Sequence, residues 1–187
     1  ILHVREGVKF HNGETLDAND IIYNLKRAYG SDYANWMVST VDLDNCTAID
    51  ENTVEVKLTA PTGALLAQLC FLYIVDEQTV EGGTSLEETP IGTGPFVFKE
   101  WFRGDRIDLT TNEDYWGTIP SFTSLTMRVI TESSSRAMEI ESGGVDIALN
   151  IAANDMANLE ANPDVNLLTT PSYSNVFIGM NCSMEPF

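Results

Sequence analysis

Residues 90–117 constrain this chain more than any other stretch, because they join a Gly92-Thr93-Gly94-Pro95 bend to a long aromatic hairpin. Gly92 and Gly94 admit backbone angles closed to other residues, and Pro95 fixes its own φ, so a tight bend is specified before the chain extends at Phe96. Phe96, Phe98 and Glu100 then alternate with Val97, Lys99 and Trp101, the turn falls at Arg103-Gly104-Asp105, and Arg106 to Thr111 return as a second strand. Bare backbone at Gly92 to Gly94 serves equally as a plain turn or as a place where a ligand comes close, and both readings stand at this level.

The composition bounds the partners. With 187 residues the chain can bury a core, as one domain or two small lobes. Ten Lys plus Arg against 28 Asp plus Glu leave a formal charge of -18, with no basic run, which argues against nucleic acid and repels anionic ligands and membranes at long range. The longest apolar stretch, 64–75, is interrupted by Gln68 and falls well short of the ~20 residues a membrane helix needs. Cys46, Cys70 and Cys182 form no Cys-x-x-Cys pair, so zinc and thioredoxin-type sites are not indicated, and separate buried thiols are expected rather than one disulfide with a free thiol. Starting at Ile1 and stopping at Pro186-Phe187, the sequence reads as an excised piece.

Along the chain, residues 1–10 alternate as a strand ending at the Asn12-Gly13 turn, and Asp17 caps a helix over 18–29 that Gly30 stops. A short helix or irregular segment over 33–41 leads to a second hairpin, 47–49 with 53–58, in which Val54, Val56 and Leu58 share a face. Helices are expected near 62–69 and 76–80, with 71–75 as a buried strand or an extended connection. Beyond Gly117 the pattern predicts a strand over 122–130, a helix from 133–135 to Gly143-Gly144 and a strand over 145–149. Together these would make a βαβ unit. A helix over 155–161 and strands over 165–169 and 175–181 follow.

Catalytic templates fail. There is no Gly-x-Ser-x-Gly elbow, phosphate-binding loop or His-Glu-x-x-His helix, and Val97 stands where a dinucleotide loop needs its third glycine. His3 and His11 lack the neighbours of a metal site, and Asp42-Leu43-Asp44-Asn45 departs from a calcium loop at Cys46. No metal, cofactor or enzymatic activity is expected. Aromatic residues are better candidates: Tyr33 and Trp36 either plug a core or line an open cleft, whereas Trp101, Phe102, Tyr115 and Trp116 are expected to pack.

Five segments in order resemble the extracytoplasmic solute-binding proteins of peptide and nickel ABC transporters, the dipeptide/oligopeptide-binding family. They are Leu2 to Glu14 with Asp17 to Ile21; Pro90-Ile91-Gly92-Thr93-Gly94-Pro95-Phe96; Asn112-Glu113-Asp114-Tyr115-Trp116-Gly117; Ser135-Arg136 through Gly143-Gly144-Val145-Asp146-Ile147-Ala148; and Asn181 followed by Pro186-Phe187. The resemblance implies a mixed α/β (α+β) chain that forms part of the first lobe of a type II periplasmic-binding-protein fold. Residues 1–90 would be its accessory subdomain and 91–187 part of its α/β core, leading to a second lobe outside this sequence. It also implies a monomeric, extracytoplasmic protein, periplasmic or a cell-surface lipoprotein, that captures a short peptide or similar solute and delivers it to ABC permease subunits. Trp36 and Tyr33 would then face the ligand, with Gly92, Thr93 and Gly94 as backbone contacts. The rival readings are a ligand-sensing module and a secreted hydrolase or lectin-like domain.

Overall fold

The computed structural model describes residues 1–172 and 176–183. The chain divides into two compact units, Ile1–Val129 and Ile130–Phe187, each taken by itself below.

In the first unit, helix α1 spans Ala18–Tyr29. Its start is closed by a capping box: Asp17 Oδ1 accepts from the N–H groups of Asn19 at 2.7 Å and Asp20 at 3.1 Å, while Asp20 Oδ2 accepts the Asp17 N–H at 3.1 Å. Lys26 and Arg27 sit in the last turn, where the helix dipole favours cations, and Gly30 ends the helix. Leu25 and Ala28 on one face join Val38, Val41 and Cys46 in the buried core. Full burial of a side chain such as Leu25 contributes about 1.5–3 kcal/mol.

Strands β1 (Leu2–His3), β2 (Thr47–Asp50) and β3 (Thr53–Glu55) form an antiparallel sheet in the order β1-β3-β2. Val54 lies opposite both Leu2 and Ala48 and is fully buried. The strand expected over the first ten residues is cut to two, because Gly7 takes a positive φ of 72° that breaks the extended run. After α1 the chain makes a 3-10 turn at Asn35–Met37, then short helices α2 (Leu65–Leu69) and α3 (Glu77–Glu81). Residues 72–76 between them run without a strand partner, as a connection.

The expected hairpin is present. Strand β4 (Phe96–Phe102) pairs antiparallel with β5 (Arg106–Thr111), and β6 (Ser124–Arg128) continues the sheet on the other edge of β5. Gly104, at φ 79°, makes the turn, and the register shifts between Phe98 and Glu100, so Lys99 is the bulged residue.

The second unit holds α4 (Ser133–Glu141) and α5 (Ala153–Ala161), packed together, with Ala137 and Leu159 buried. Arg136 fastens the segments flanking α4. Its guanidinium donates to the carbonyls of Ile130 (2.7 Å), Thr131 (2.8 Å), Leu149 (3.0 Å) and Asn150 (2.7 Å). Residues 145–149, expected as a strand, are irregular, so the βαβ unit does not form among the described residues. The same holds for 165–169 and for 176–181; Asn175 lies outside the described residues, as do Pro186 and Phe187. These runs have strand composition, but among the described residues no neighbouring strand pairs with them to complete a ladder, and Ile147 and Leu168 are largely exposed.

The three cysteines are free: Cys46 is buried as expected, but Cys70 and Cys182 are exposed. Cys70 follows directly on the end of the short α2, which has no buried residue.

Candidate functional site

The Gly92-Thr93-Gly94 bend is held on every side. From the Asn12-Gly13 turn, the His11 N–H donates to Gly92 O at 2.9 Å, while the ring places Nε2 at 3.0 Å from Gly94 O and accepts the Gly92 N–H on Nδ1 at 3.3 Å. From the far end of β5, Asn112 Nδ2 donates to Gly94 O at 3.0 Å, and the indole Nε1–H of Trp116 donates to Thr93 O at 3.0 Å. All three carbonyls of the bend are therefore occupied, which leaves it biased toward donation. The Trp116 ring is itself covered by the Arg5 guanidinium, 4.7 Å from its centroid.

Beside the bend lies a cavity of about 420 Å³, lined by Tyr73, Val75, Gly92, Phe96, Phe98 and Leu109 among others. Its walls are mainly apolar, and the bend is part of its lining.

Trp36 and Tyr33 stand apart from the core. In the 3-10 turn it is Met37 that packs against the buried cluster, while Trp36 keeps 45% of its surface exposed and Tyr33 91%. The Trp36 ring meets Phe71 at 5.7 Å between centroids in a tilted arrangement. Phe71 lies two residues before Tyr73, so one segment joins this aromatic contact to the cavity wall. Among the hairpin aromatics, Trp101 and Trp116 are less buried than expected: an arginine covers each ring, with Arg103 4.6 Å from the Trp101 centroid.

Beneath the site is a buried polar network. Asp20, 5% exposed, accepts from the N–H of Glu77, and burial pushes its carboxyl above the ordinary 3.8. Asp76, 3% exposed, caps α3; burial raises its pKa, but hydrogen bonds from Thr79 and from Asn12 outweigh that and hold it below 3.8. Asn12 Nδ2 reaches Asp76 Oδ2 at 3.1 Å, so the turn that presents His11 is anchored to the segment that presents Tyr73.

Sequence reasoning singled out the bend and Trp36 but missed their fasteners, His11, Asn112 and Trp116, and their aromatic companions, Phe71 and Tyr73. The available signal was the clustering of His11-Asn12-Gly13 and Asn112 to Gly117 in ordered segments that no catalytic template used. Among the described residues no group of three His, Cys, Asp or Glu gathers to hold a metal ion. No helix among them is long and apolar enough to cross a membrane.

The sequence and the fold match one class of protein. The model of the bacterial extracellular solute-binding proteins, family 5 middle, covers residues 1–187, and the chain belongs to that family. The glutathione-binding protein GsiB of Escherichia coli O1:K1 is 30% identical over 191 residues, covering 98% of this chain and 37% of GsiB. The periplasmic binding protein DppA of Helicobacter pylori, solved in complex with the peptide STSA, superposes with a TM-score of 0.73 at 28% identity, over 86% of this chain and 36% of DppA. The oligopeptide-binding protein AppA of Bacillus subtilis, solved in complex with a nonapeptide, gives a TM-score of 0.73 at 26% identity, over 85% of this chain and 33% of AppA. The chain thus spans little more than a third of the relatives it matches, and its mixed α/β architecture is part of one lobe of the type II binding-protein fold.

Proposed function

We propose that this chain is part of the substrate-binding component of an ABC importer, capturing a short peptide or similar small solute between two lobes and delivering it to permease subunits. The protein acts outside the cytoplasm as a monomer, in the periplasm or as a cell-surface lipoprotein, by closure around its solute rather than by turnover. Residues 1–90 serve as the accessory subdomain of the first lobe and 91–187 as part of its α/β core. Trp36 and Tyr33 contact the solute through their rings, and Gly92, Thr93 and Gly94 contact it through the backbone.

The observation that carries this reading is the half-exposed Trp36 ring, tilted against Phe71 at the head of the segment that lines the cavity. A large aromatic left open to solvent yet braced by another ring is suited to receive a ligand face. The donor-biased bend suits the carbonyl or carboxylate oxygens that peptides carry. Family membership and the peptide-binding relatives support the same class.

The test is native mass spectrometry of the intact protein purified without added ligand. A copurified peptide or peptide-like solute, confirmed by calorimetric binding, is the expected result. Product formation from that solute on incubation would overturn the non-catalytic reading.

A further inference from the structure

We propose that His11 is the positioning residue of the Gly92-Thr93-Gly94 bend, and that it holds the bend only as the neutral imidazole protonated on Nε2. The inference deepens the binding reading by giving that site a proton-dependent support.

The geometry assigns the tautomer. A carbonyl oxygen only accepts, so the ring nitrogen 3.0 Å from Gly94 O, Nε2, carries the hydrogen. A backbone N–H only donates, so Nδ1, 3.3 Å from the Gly92 nitrogen, is bare. The ring therefore spans the bend from end to end, and the backbone bond from His11 N–H to Gly92 O at 2.9 Å keeps the two segments together while it does so.

A second proton changes this. An imidazolium carries hydrogens on both nitrogens, so Nδ1–H would face the Gly92 N–H, donor against donor. Either the ring turns away or Gly92 moves. Around Gly92 there is room, since a Cβ built there would meet nothing within 4 Å. The far side stays fastened by Asn112 on Gly94 O and Trp116 on Thr93 O. Protonation consequently breaks the Gly92 N–H bond to the ring, leaving Gly92 held only through its carbonyl by the His11 N–H, while the Gly94 end stays in place.

The charged and titratable groups on the surrounding elements stand outside the ring's hydrogen bonds. They are Lys9 and Glu14 on the same turn, Tyr73 and Asp76 on the segment before α3, Glu87 and Glu88 on the loop before the bend, and Asp114 after β5. Lys9 is paired with Asp114 at 3.7 Å, and Asp76 is engaged by Asn12 and Thr79. Among the described residues no carboxylate hydrogen-bonds the imidazole, whose ring partners are both backbone groups of the bend.

The experiment is NMR on the intact protein labelled with 15N histidine and glycine, from about pH 8 to about pH 5. His11 should show the Nε2–H tautomer at the upper end. As the ring takes its second proton, the Gly92 amide protection factor, normalised for the intrinsic exchange rate, should fall about fivefold, the loss of one ordinary hydrogen bond. His11→Gln, which cannot titrate, should abolish that change, while His3→Gln should leave it intact. An Nδ1–H tautomer, or Gly92 protection that ignores the His11 titration, overturns the proposal. None of these readouts needs a ligand. The ligand reading of the bend fails by a different result: a solute captured by the intact protein that leaves the Gly92 and Gly94 amide resonances unmoved.

Discussion

Asn24 and Val75 exchange two hydrogen bonds: Asn24 Nδ2 donates to Val75 O at 2.7 Å, and Asn24 Oδ1 accepts the Val75 N–H at 3.1 Å. A fully buried amide on α1 thereby acts as the strand neighbour that residues 72–76 otherwise lack. Its remaining capacity is also used, since Nδ2 donates to Asp20 O at 2.8 Å and Oδ1 accepts from Arg27 Nε at 3.3 Å. Asn24→Leu keeps the volume but strands both polar groups of Val75. Urea unfolding should show a loss of roughly 2–4 kcal/mol. An equally stable Leu variant would mean that the 72–76 segment finds other partners.

Asp76 should give the protein a rising stability on the acid side. Its folded pKa lies below the ordinary 3.8, so its contribution is present above that value and is lost as the pH falls through the lowered one. Asp20 has the opposite sign: its folded pKa is raised, so its contribution is present below 3.8 and is lost as the pH rises through the raised value. Urea midpoints of wild type and Asp76→Asn should diverge from low pH toward neutrality and converge in acid. A difference independent of pH would refute the linkage.

Arg136 joins four carbonyls on both flanks of α4, a geometry that needs the fork of a guanidinium. Arg136→Lys should therefore behave like a deletion, costing about 2 kcal/mol locally. Hydrogen exchange should quicken at Ala152, whose N–H reaches Ser133 Oγ at 2.7 Å only while the 149–152 segment is held against α4. Retained protection in the Lys variant would show that one ammonium suffices.

For the proposed solute site, Trp36→Ala should weaken binding about tenfold, the value of one large aromatic face, while Trp36→Phe keeps most of the affinity. Isothermal calorimetry with the copurified solute decides this. Unchanged affinity in the Ala variant would remove Trp36 from the site.

Much of this was legible before the structure. The α1 boundaries, the Asp17 cap and the 96–111 hairpin are local, each written in capping residues, period and turn glycines within a few positions. The bend was visible for the same reason. Its fastening was not, because His11 and Gly92 lie far apart in sequence and nothing at either position marks the other as a partner. The expected strands 145–149 and 165–169 were misjudged for a related reason: β-branched and apolar content describes willingness to pair, while a ladder needs a neighbour.

By itself the sequence determined the family, the local elements and the positions where backbone freedom or a large ring is needed, because those depend on contacts a few residues apart or on a recognisable order of segments. Only the tertiary structure decided that Trp36 stays open against Phe71, that Asn24 substitutes for a missing strand, and that an imidazole bridges both ends of the bend. Buried hydrogen-bonding groups must find partners, and which partner lies within 3 Å is settled by how distant segments pack.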